Sequence, residues 1–277
     1  MHATLGNTPA SSAPSAPTEP DPVDGPGREE FGRLAASHSV VPVWRELLAD
    51  LTTPVALFTR CVGDGNGFLL ESVDRGESWG RWSFIGLNPS LTLTLSGGSL
   101  TAQGVLPAGV GTDDGILVAL QGLLEHFRSP DIVGLPPLHG GLMGFLGYDV
   151  VREVEHLPDM PPDDRGFPDG VMSVIGDLVA IDHWRQRAVL IANVVVPDAV
   201  DETNLDLLYT EAQDRLDRLA AAGAAPLDEP LMMPPGQADE APATTSSMAA
   251  TSCTRASRSC RRAVSISPVS QPVHKSC

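Results

Sequence analysis

Short runs of β-type residues, separated by turn-forming residues, recur through the middle of the chain. The run 90–95 alternates leucine with serine or threonine, which is the period-two pattern of a strand with one buried face. Further apolar runs lie at 55–61, 68–73, 82–87, 142–148, 171–181 and 188–196. Because each strand needs neighbours to satisfy its backbone hydrogen bonds, this many strands predicts a sheet-based domain.

Three segments instead have apolar residues at helical spacing. They are 44–51, 116–127 and 203–222, the last with leucines at 205, 208, 216 and 219. The glycine-rich segment 63–67 predicts a hairpin turn between the strands on either side of it. Strands therefore outnumber helices without regular βαβ alternation. We expect an α+β fold, a mixed and mainly antiparallel sheet with helices packed on it.

Both ends of the chain differ from this body in composition. Residues 1–30 are rich in Pro, Ser and Ala and predict a disordered leader, and residues 31–225 carry the globular pattern. A linker at 227–243 leads into a segment, 241–277, that contains no Asp or Glu, although the first 240 residues contain all 35. We expect residues 226–277 to be a linker followed by a disordered tail, which a shift of reading frame near codon 240 would produce.

Charge and cysteine content exclude several classes of function. The formal charge of −17 disfavours a nucleic-acid or anionic-membrane partner, since both need clustered Lys and Arg. The N-terminus has neither the basic start nor the apolar core of a signal peptide, and no run is long enough to span a membrane. Only Cys61 of the four cysteines lies in the body, so we expect no disulfide framework and a cytoplasmic location.

The familiar catalytic and metal-binding motifs are absent from the sequence. A calcium loop beginning at Asp64 would need a glutamate where Arg75 stands. The glycines at 141, 144 and 147 indicate close backbone packing and do not form a dinucleotide-binding fingerprint. The histidines share no metal-ligand spacing, and the charged residues of 211–218 predict a solvated helix face with local ion pairs. The residues alone thus indicate no catalytic site and no cofactor.

One segment departs from an ordinary strand. Glu71 and Ser72 interrupt an apolar run at 68–73. A carboxylate and a hydroxyl together suit an ammonium group, as in a free amino acid, because both accept its N–H hydrogen bonds. A strand that ends in a polar exit explains the same two residues, so both interpretations stay open.

Four segments resemble one enzyme family. The run LLESV followed by GESWGRWSFIGLNP is similar to the signature of anthranilate synthase component I, and GGLMGFLGYDVVREVEHLP resembles a second landmark of its N-terminal half. The runs VPVWRELLADLTTPVALF and PDGVMSVIGDLVAIDHWRQRAVLIANV also fit, in the right order. The resemblance covers about residues 31–225.

This resemblance implies a subunit that converts chorismate to anthranilate and pyruvate in tryptophan biosynthesis, with Mg²⁺ and with ammonia from a glutamine amidotransferase subunit. It further implies feedback inhibition by L-tryptophan, contacted by Ser72 and bordered by Glu71 and Val73. The resemblance assigns the chorismate pocket, the Mg²⁺ ligands and further tryptophan contacts to the family's C-terminal domain. We therefore expect the chain, truncated before that domain, to be inactive by itself.

Two alternatives remain open. The chain could act as written, as a non-catalytic regulatory or interaction module. It could also be the N-terminal part of aminodeoxychorismate synthase component I, a chorismate-utilising relative, although the LLES and GRWSFIG runs favour anthranilate synthase.

Overall fold

The fold is taken from a computed structural model, which describes residues 24–71, 78–158, 163, 165–227 and 264–265. The elements of the main body are two sheets and four α-helices. In chain order they are α1 (Arg28–Ala35), β1 (Val40–Leu48), α2 (Pro54–Cys61), β2 (Gly67–Glu71), β3 (Trp82–Leu87), β4 (Leu91–Ser96), β5 (Ser99–Gly104), α3 (Ile116–His126), β6 (Leu142–Leu146), β7 (Gly170–Val174), β8 (Asp177–Asp182), β9 (Arg187–Val195) and α4 (Glu202–Ala224). Two 3₁₀ helices, Ser78–Arg81 and Tyr148–Glu153, and a two-residue strand, β10 (Val264–Ser265), complete the set.

The large sheet has the strand order β1-β9-β8-β3-β2, with every neighbouring pair antiparallel. β10 pairs parallel with β2 at the edge. The small sheet has the order β5-β4-β7-β6 and is also antiparallel. These two sheets with their helices confirm the predicted α+β class.

Helices cover one face of each sheet. α1, α2 and α4 pack on the large sheet around Phe31, Ile85 and Leu216, all with no exposed surface. α3 packs on the small sheet over Leu91 and Leu93. The opposite face of the large sheet packs against the loop that contains Leu135 and Leu138 and against Met143 of β6. The apolar faces of the strands are thus buried in three hydrophobic clusters.

The first two predicted elements are wrong. The segment 44–51 was expected to be helical, but most of it belongs to β1, which pairs with β9 over nine residues. Long-range pairing outweighs the helical propensity of its Glu and Leu residues. The segment 55–61 was expected to be a strand and is helix α2. Thr53 caps this helix, because its Oγ1 accepts a hydrogen bond from the Ala56 N–H at 3.2 Å, and Pro54 occupies its first turn.

Two connections also differ from the prediction. The glycine-rich turn 63–67 joins a helix to a strand, so it is not a hairpin, although Gly63 does adopt a positive φ of 54°. The run 171–181 is two strands in different sheets, β7 and β8, separated at Gly176. A Cβ on Gly176 would lie 1.8 Å from the Asn88 carbonyl oxygen, so the chain crosses between the sheets where only glycine fits.

Most of the remaining elements agree with the sequence, whereas α1 and β5 were not predicted. β3, β4, β6, β9, α3 and α4 lie within two residues of the predicted runs, and β2 covers the described part of 68–73. In α3, Leu120 and Leu123 are buried as expected, whereas Leu124 is 63% exposed. The expected domain limits 31–225 stay a prediction.

Candidate functional site

Glu71, the first residue of the predicted effector site, is the last residue of β2 and is half-buried. It lies on the same side of the strand as Leu69, which is buried under the helices, because side chains two residues apart share one face of a strand. A carboxylate therefore stands at the end of an apolar strand face. Ser72 and Val73, the other two predicted contacts, lie outside the described residues.

A cross-strand row of side chains runs across the large sheet from Glu71. Glu71 is in register with Ser83, Ser83 with Ile181, Ile181 with Ala188, and Ala188 with Leu47. All belong to the helix-covered face. Directly opposite residues have Cβ atoms about 4.5–5.5 Å apart, so Glu71 and Ser83 are immediate neighbours.

Ser83 is held by a histidine 100 residues further along the chain. Its Oγ is 2.7 Å from Nε2 of His183, and the Ser83 residue is only 1% exposed. The His183 backbone N–H donates to the Arg81 carbonyl at 2.9 Å, which extends the β3–β8 ladder by one residue. The sequence alone, in which the histidines share no metal-ligand spacing, did not reveal this pairing, because the two residues meet only through strand register.

A serine–histidine pair raises the question of nucleophilic catalysis. A nucleophilic serine must reach a substrate carbonyl, and Ser83 is buried. Such a site also needs a third group that orients the histidine, and no carboxylate of the described residues is hydrogen-bonded to the His183 ring. The pair is therefore not arranged for acyl transfer.

An ion pair lies on the opposite face of the large sheet, where β3 begins and β8 ends. Arg81 donates from Nε to Asp182 at 3.0 Å, and its guanidinium lies 5.0 Å from the Trp82 ring centre and 5.3 Å from that of Trp184. Burial would raise the pKa of Asp182, but the hydrogen bonds from Arg81 and from the backbone N–H groups of Arg185 and Trp184 outweigh it, so the pKa lies below its ordinary value. This network fixes the β8–β9 turn that carries His183.

Cys61, the cysteine of the body, ends α2 and packs against the same core. Burial raises the pKa of its thiol, against a smaller lowering effect of the neighbouring Arg60. A thiol with a raised pKa stays protonated near neutral pH and is a poor nucleophile.

A second polar cluster lies between α4 and the start of β8. Arg215 donates from Nε to Asp177 at 2.8 Å, from Nη2 to the Gly176 carbonyl at 2.8 Å and from Nη1 to the Asn193 carbonyl at 3.2 Å. Asn88 donates to the other Asp177 oxygen at 2.8 Å. These residues line a cleft of about 540 Å³. The prediction of a solvated helix face is therefore wrong for Arg215, which pairs with a buried aspartate.

Other expectations can be compared with the structure. The interpretation of the glycines as close backbone contacts is confirmed for Gly144 and Gly147, since a Cβ would lie 1.9 Å from the Val171 carbonyl oxygen and 2.7 Å from that of Asp169, respectively. It is wrong for Gly141, where a Cβ would meet no atom within 4 Å and the backbone has a positive φ of 119°. Within the described residues, no group of three or more His, Cys, Asp or Glu side chains could hold a metal ion. No helix in the described ranges is long and apolar enough to cross a membrane.

Comparison with known proteins identifies relatives of the chain. It is 40% identical over 201 residues to anthranilate synthase component 1 of Mycolicibacterium smegmatis, covering 72% of this chain and 38% of the relative. It is 42% identical over 204 residues to the protein of the same name from Mycobacterium bovis, covering 72% of this chain and 39% of the relative. No protein-family model matches.

A solved structure is also similar. The crystal structure of anthranilate synthase component I from Streptococcus pneumoniae shares 22% identity and a TM-score of 0.37, over 61% of this chain and 36% of that one. The sequence relatives decide the assignment. The chain belongs to the anthranilate synthase component I family, to whose N-terminal part it corresponds. It spans about two fifths of the length of the curated relatives that it matches.

Proposed function

We propose that the chain is the tryptophan-sensing portion of an anthranilate synthase component I, with Glu71, Ser72 and Val73 lining the effector site. The observation that carries this proposal is the placement of Glu71. Its carboxylate ends an otherwise apolar strand face, beside a polar pair, at a half-buried position. A partly desolvated carboxylate binds an ammonium group more strongly than an exposed one, because the surrounding medium screens the charge less.

The position of Glu71 at the rim of the core suits the rest of the ligand. Its neighbours on this face, Leu69 and Ile85, are buried, so the ligand would lie against the end of the strand and not among them. An amino acid with a large aromatic side chain has both a charged end and an apolar end. The LLES segment supplies the polar end of such a site, and the family resemblance identifies L-tryptophan as the ligand.

The conversion of chorismate to anthranilate is proposed for the family's full-length enzyme and not for this chain alone. The carboxylates of the described residues do not converge on a metal site. We assign Mg²⁺ and chorismate binding to the part of the relatives, about three fifths of their length, that this chain does not match. The word "component" in the relatives' name implies a second component, which we propose to be a glutamine amidotransferase subunit that supplies ammonia.

Binding of L-tryptophan to the chain tests the proposal. In a two-dimensional amide NMR titration, L-tryptophan should shift resonances of β2, β3 and the β8–β9 turn in a saturable manner, and L-alanine should not. Binding should be weak, because the family resemblance assigns other effector contacts to the C-terminal domain.

A matched pair of variants makes the test specific. Glu71→Gln should weaken L-tryptophan binding by about tenfold or more, since a hydrogen bond to a charged group contributes roughly 1.5–3 kcal/mol. Glu155→Gln, at an exposed position after the second 3₁₀ helix, should leave the affinity unchanged. Absence of saturable L-tryptophan binding, or equal effects of the two variants, would overturn the effector assignment.

A further inference from the structure

His183 lies near the proposed effector site, where it is hydrogen-bonded to the buried Ser83. The ring is exposed, and its described hydrogen bond is the one between Nε2 and the buried Ser83 hydroxyl. The other ring nitrogen, Nδ1, has no hydrogen-bond partner among the described residues. The exposed ring is thus anchored at one nitrogen, and the other nitrogen is left to hydrogen-bond with solvent or a ligand.

The position of Ser83 supports this interpretation. The neighbouring positions on its face, Leu69, Ile85 and Ile181, are apolar and buried. An apolar residue at position 83 would complete that core, whereas a buried hydroxyl needs a partner to avoid the cost of desolvation. His183 is that partner. The pair therefore fixes the ring at the edge of the core, two strands away from Glu71.

The hydrogen bond also determines what His183 can offer. When the Ser83 O–H donates to Nε2, the ring proton of the neutral imidazole is on Nδ1, and Nδ1–H becomes a donor on the exposed side. Glu71 lies directly across from Ser83 in the β2–β3 register. One carboxylate and one N–H donor thus flank the same buried serine.

We infer that His183 is a further effector-binding residue, positioned by Ser83, and that its Nδ1–H donates to the carboxylate of the amino acid whose ammonium group pairs with Glu71. An α-amino acid carries both groups on one carbon. Glu71 ends β2 and His183 follows β8, so the two complementary side chains lie on either side of β3, and one ligand across the end of β3 can bind both. This inference rests on the proposed effector function and extends it from the LLES segment to the β8–β9 turn.

Three ligands distinguish the contact of Glu71 with the ammonium group from the contact of His183 with the carboxylate. Tryptamine lacks the carboxylate of L-tryptophan, and indole-3-propionate lacks the ammonium group. In NMR titrations of the full chain, His183→Ala should weaken L-tryptophan and indole-3-propionate by about tenfold and leave tryptamine unchanged. Glu71→Gln should weaken L-tryptophan and tryptamine and leave indole-3-propionate unchanged.

Further variants test the positioning role and the fold. Ser83→Ala should weaken the same ligands as His183→Ala, but by less, about two- to fivefold, because the ring loses its anchor and keeps its donor. His156→Ala, at another exposed histidine, is the matched control and should change nothing. Amide spectra that keep their dispersion show that each variant is folded.

The outcomes distinguish the two proposals. If the wild-type chain binds none of the three ligands, the effector function fails and this inference fails with it. If the wild type binds and Glu71→Gln acts as expected, but His183→Ala affects all three ligands equally or none of them, only the role of His183 is overturned.

Discussion

Loss of Arg215 should destabilise the domain more than loss of any exposed arginine of α4. Its guanidinium bonds to Asp177 and to the backbone carbonyls of Gly176 and Asn193. The Asp177 side chain is 2% exposed and that of Arg215 is 19% exposed. Arg215→Met keeps the length of the side chain but leaves a buried carboxylate with Asn88 as its remaining side-chain donor. Breaking one partner of a buried ion pair costs about 3–5 kcal/mol.

Thermal and urea unfolding measure this cost. For a domain of this size, about 1 kcal/mol lowers Tm by roughly 2–4 °C, so Arg215→Met should lower Tm by roughly 6–20 °C. Arg218→Met, one turn further along α4 at an exposed position, is the matched control and should stay within about 0.5 kcal/mol of wild type. The double variant Arg215→Met with Asp177→Asn should recover part of the loss, because it removes the unpaired charge. Equal stabilities of the Arg215 and Arg218 variants would refute the assignment of a buried pair.

Four further outcomes are expected. The pKa of Asp182 is lower in the folded chain than in an unfolded one, so its contribution to stability is complete above about pH 4 and is lost as the pH falls through the folded-state pKa. The free energy of unfolding of Asp182→Asn should therefore depend less on pH in that acid range than that of the wild type. An unchanged pH dependence would contradict this. Gly144→Ala places a Cβ 1.9 Å from the Val171 carbonyl oxygen and should cost about 1–3 kcal/mol or more in urea unfolding. Gly111→Ala, whose Cβ would meet only the Asp113 backbone nitrogen at 4.0 Å, should be neutral. Limited proteolysis should leave a resistant core close to residues 31–225, and rapid cleavage inside a strand of the large sheet would argue against those limits. The purified chain should make no fluorescent anthranilate from chorismate with ammonia and Mg²⁺; product above a no-protein control would show that the chain holds a catalytic site.

Elements with a strong local pattern could be predicted from the sequence. The alternation in β4 and the leucine spacing of α4 each specify a period, and Asp201 caps α4 by accepting from the Asn204 N–H at 2.7 Å. The segment from β1 to α2 could not be predicted in this way. Its Thr-Thr-Pro sequence is equally compatible with a helix that ends before it and with a helix that begins after it. The nine-residue pairing of β1 with β9, which forms only on folding, makes the preceding segment a strand and the following one a helix.

The division of 171–181 into two strands has a similar cause. No turn signal stronger than Gly176 interrupts the apolar run, and one glycine is equally compatible with a continuous strand. Contacts distant in sequence decide the break: the Asn88 carbonyl leaves no room for a Cβ, and Arg215 of α4 binds the Gly176 carbonyl. The charged pattern of α4 is compatible with exposure at each position, so it does not reveal which arginine is buried.

One part of the candidate site could be predicted from the sequence, and another part could not. Glu71 was predictable, because a carboxylate that ends an apolar run is a local anomaly in the sequence. Ser83 and His183 were not, since a serine in a strand and a histidine in a turn are both ordinary, and their pairing depends on the register of β3 with β8. That register places Ser83 between the carboxylate and the imidazole. If the effector assignment holds, the recognition site is a property of the three neighbouring strands β2, β3 and β8 and not of the LLES segment alone. Substitutions in the β8–β9 turn should then alter ligand preference as strongly as those at the end of β2.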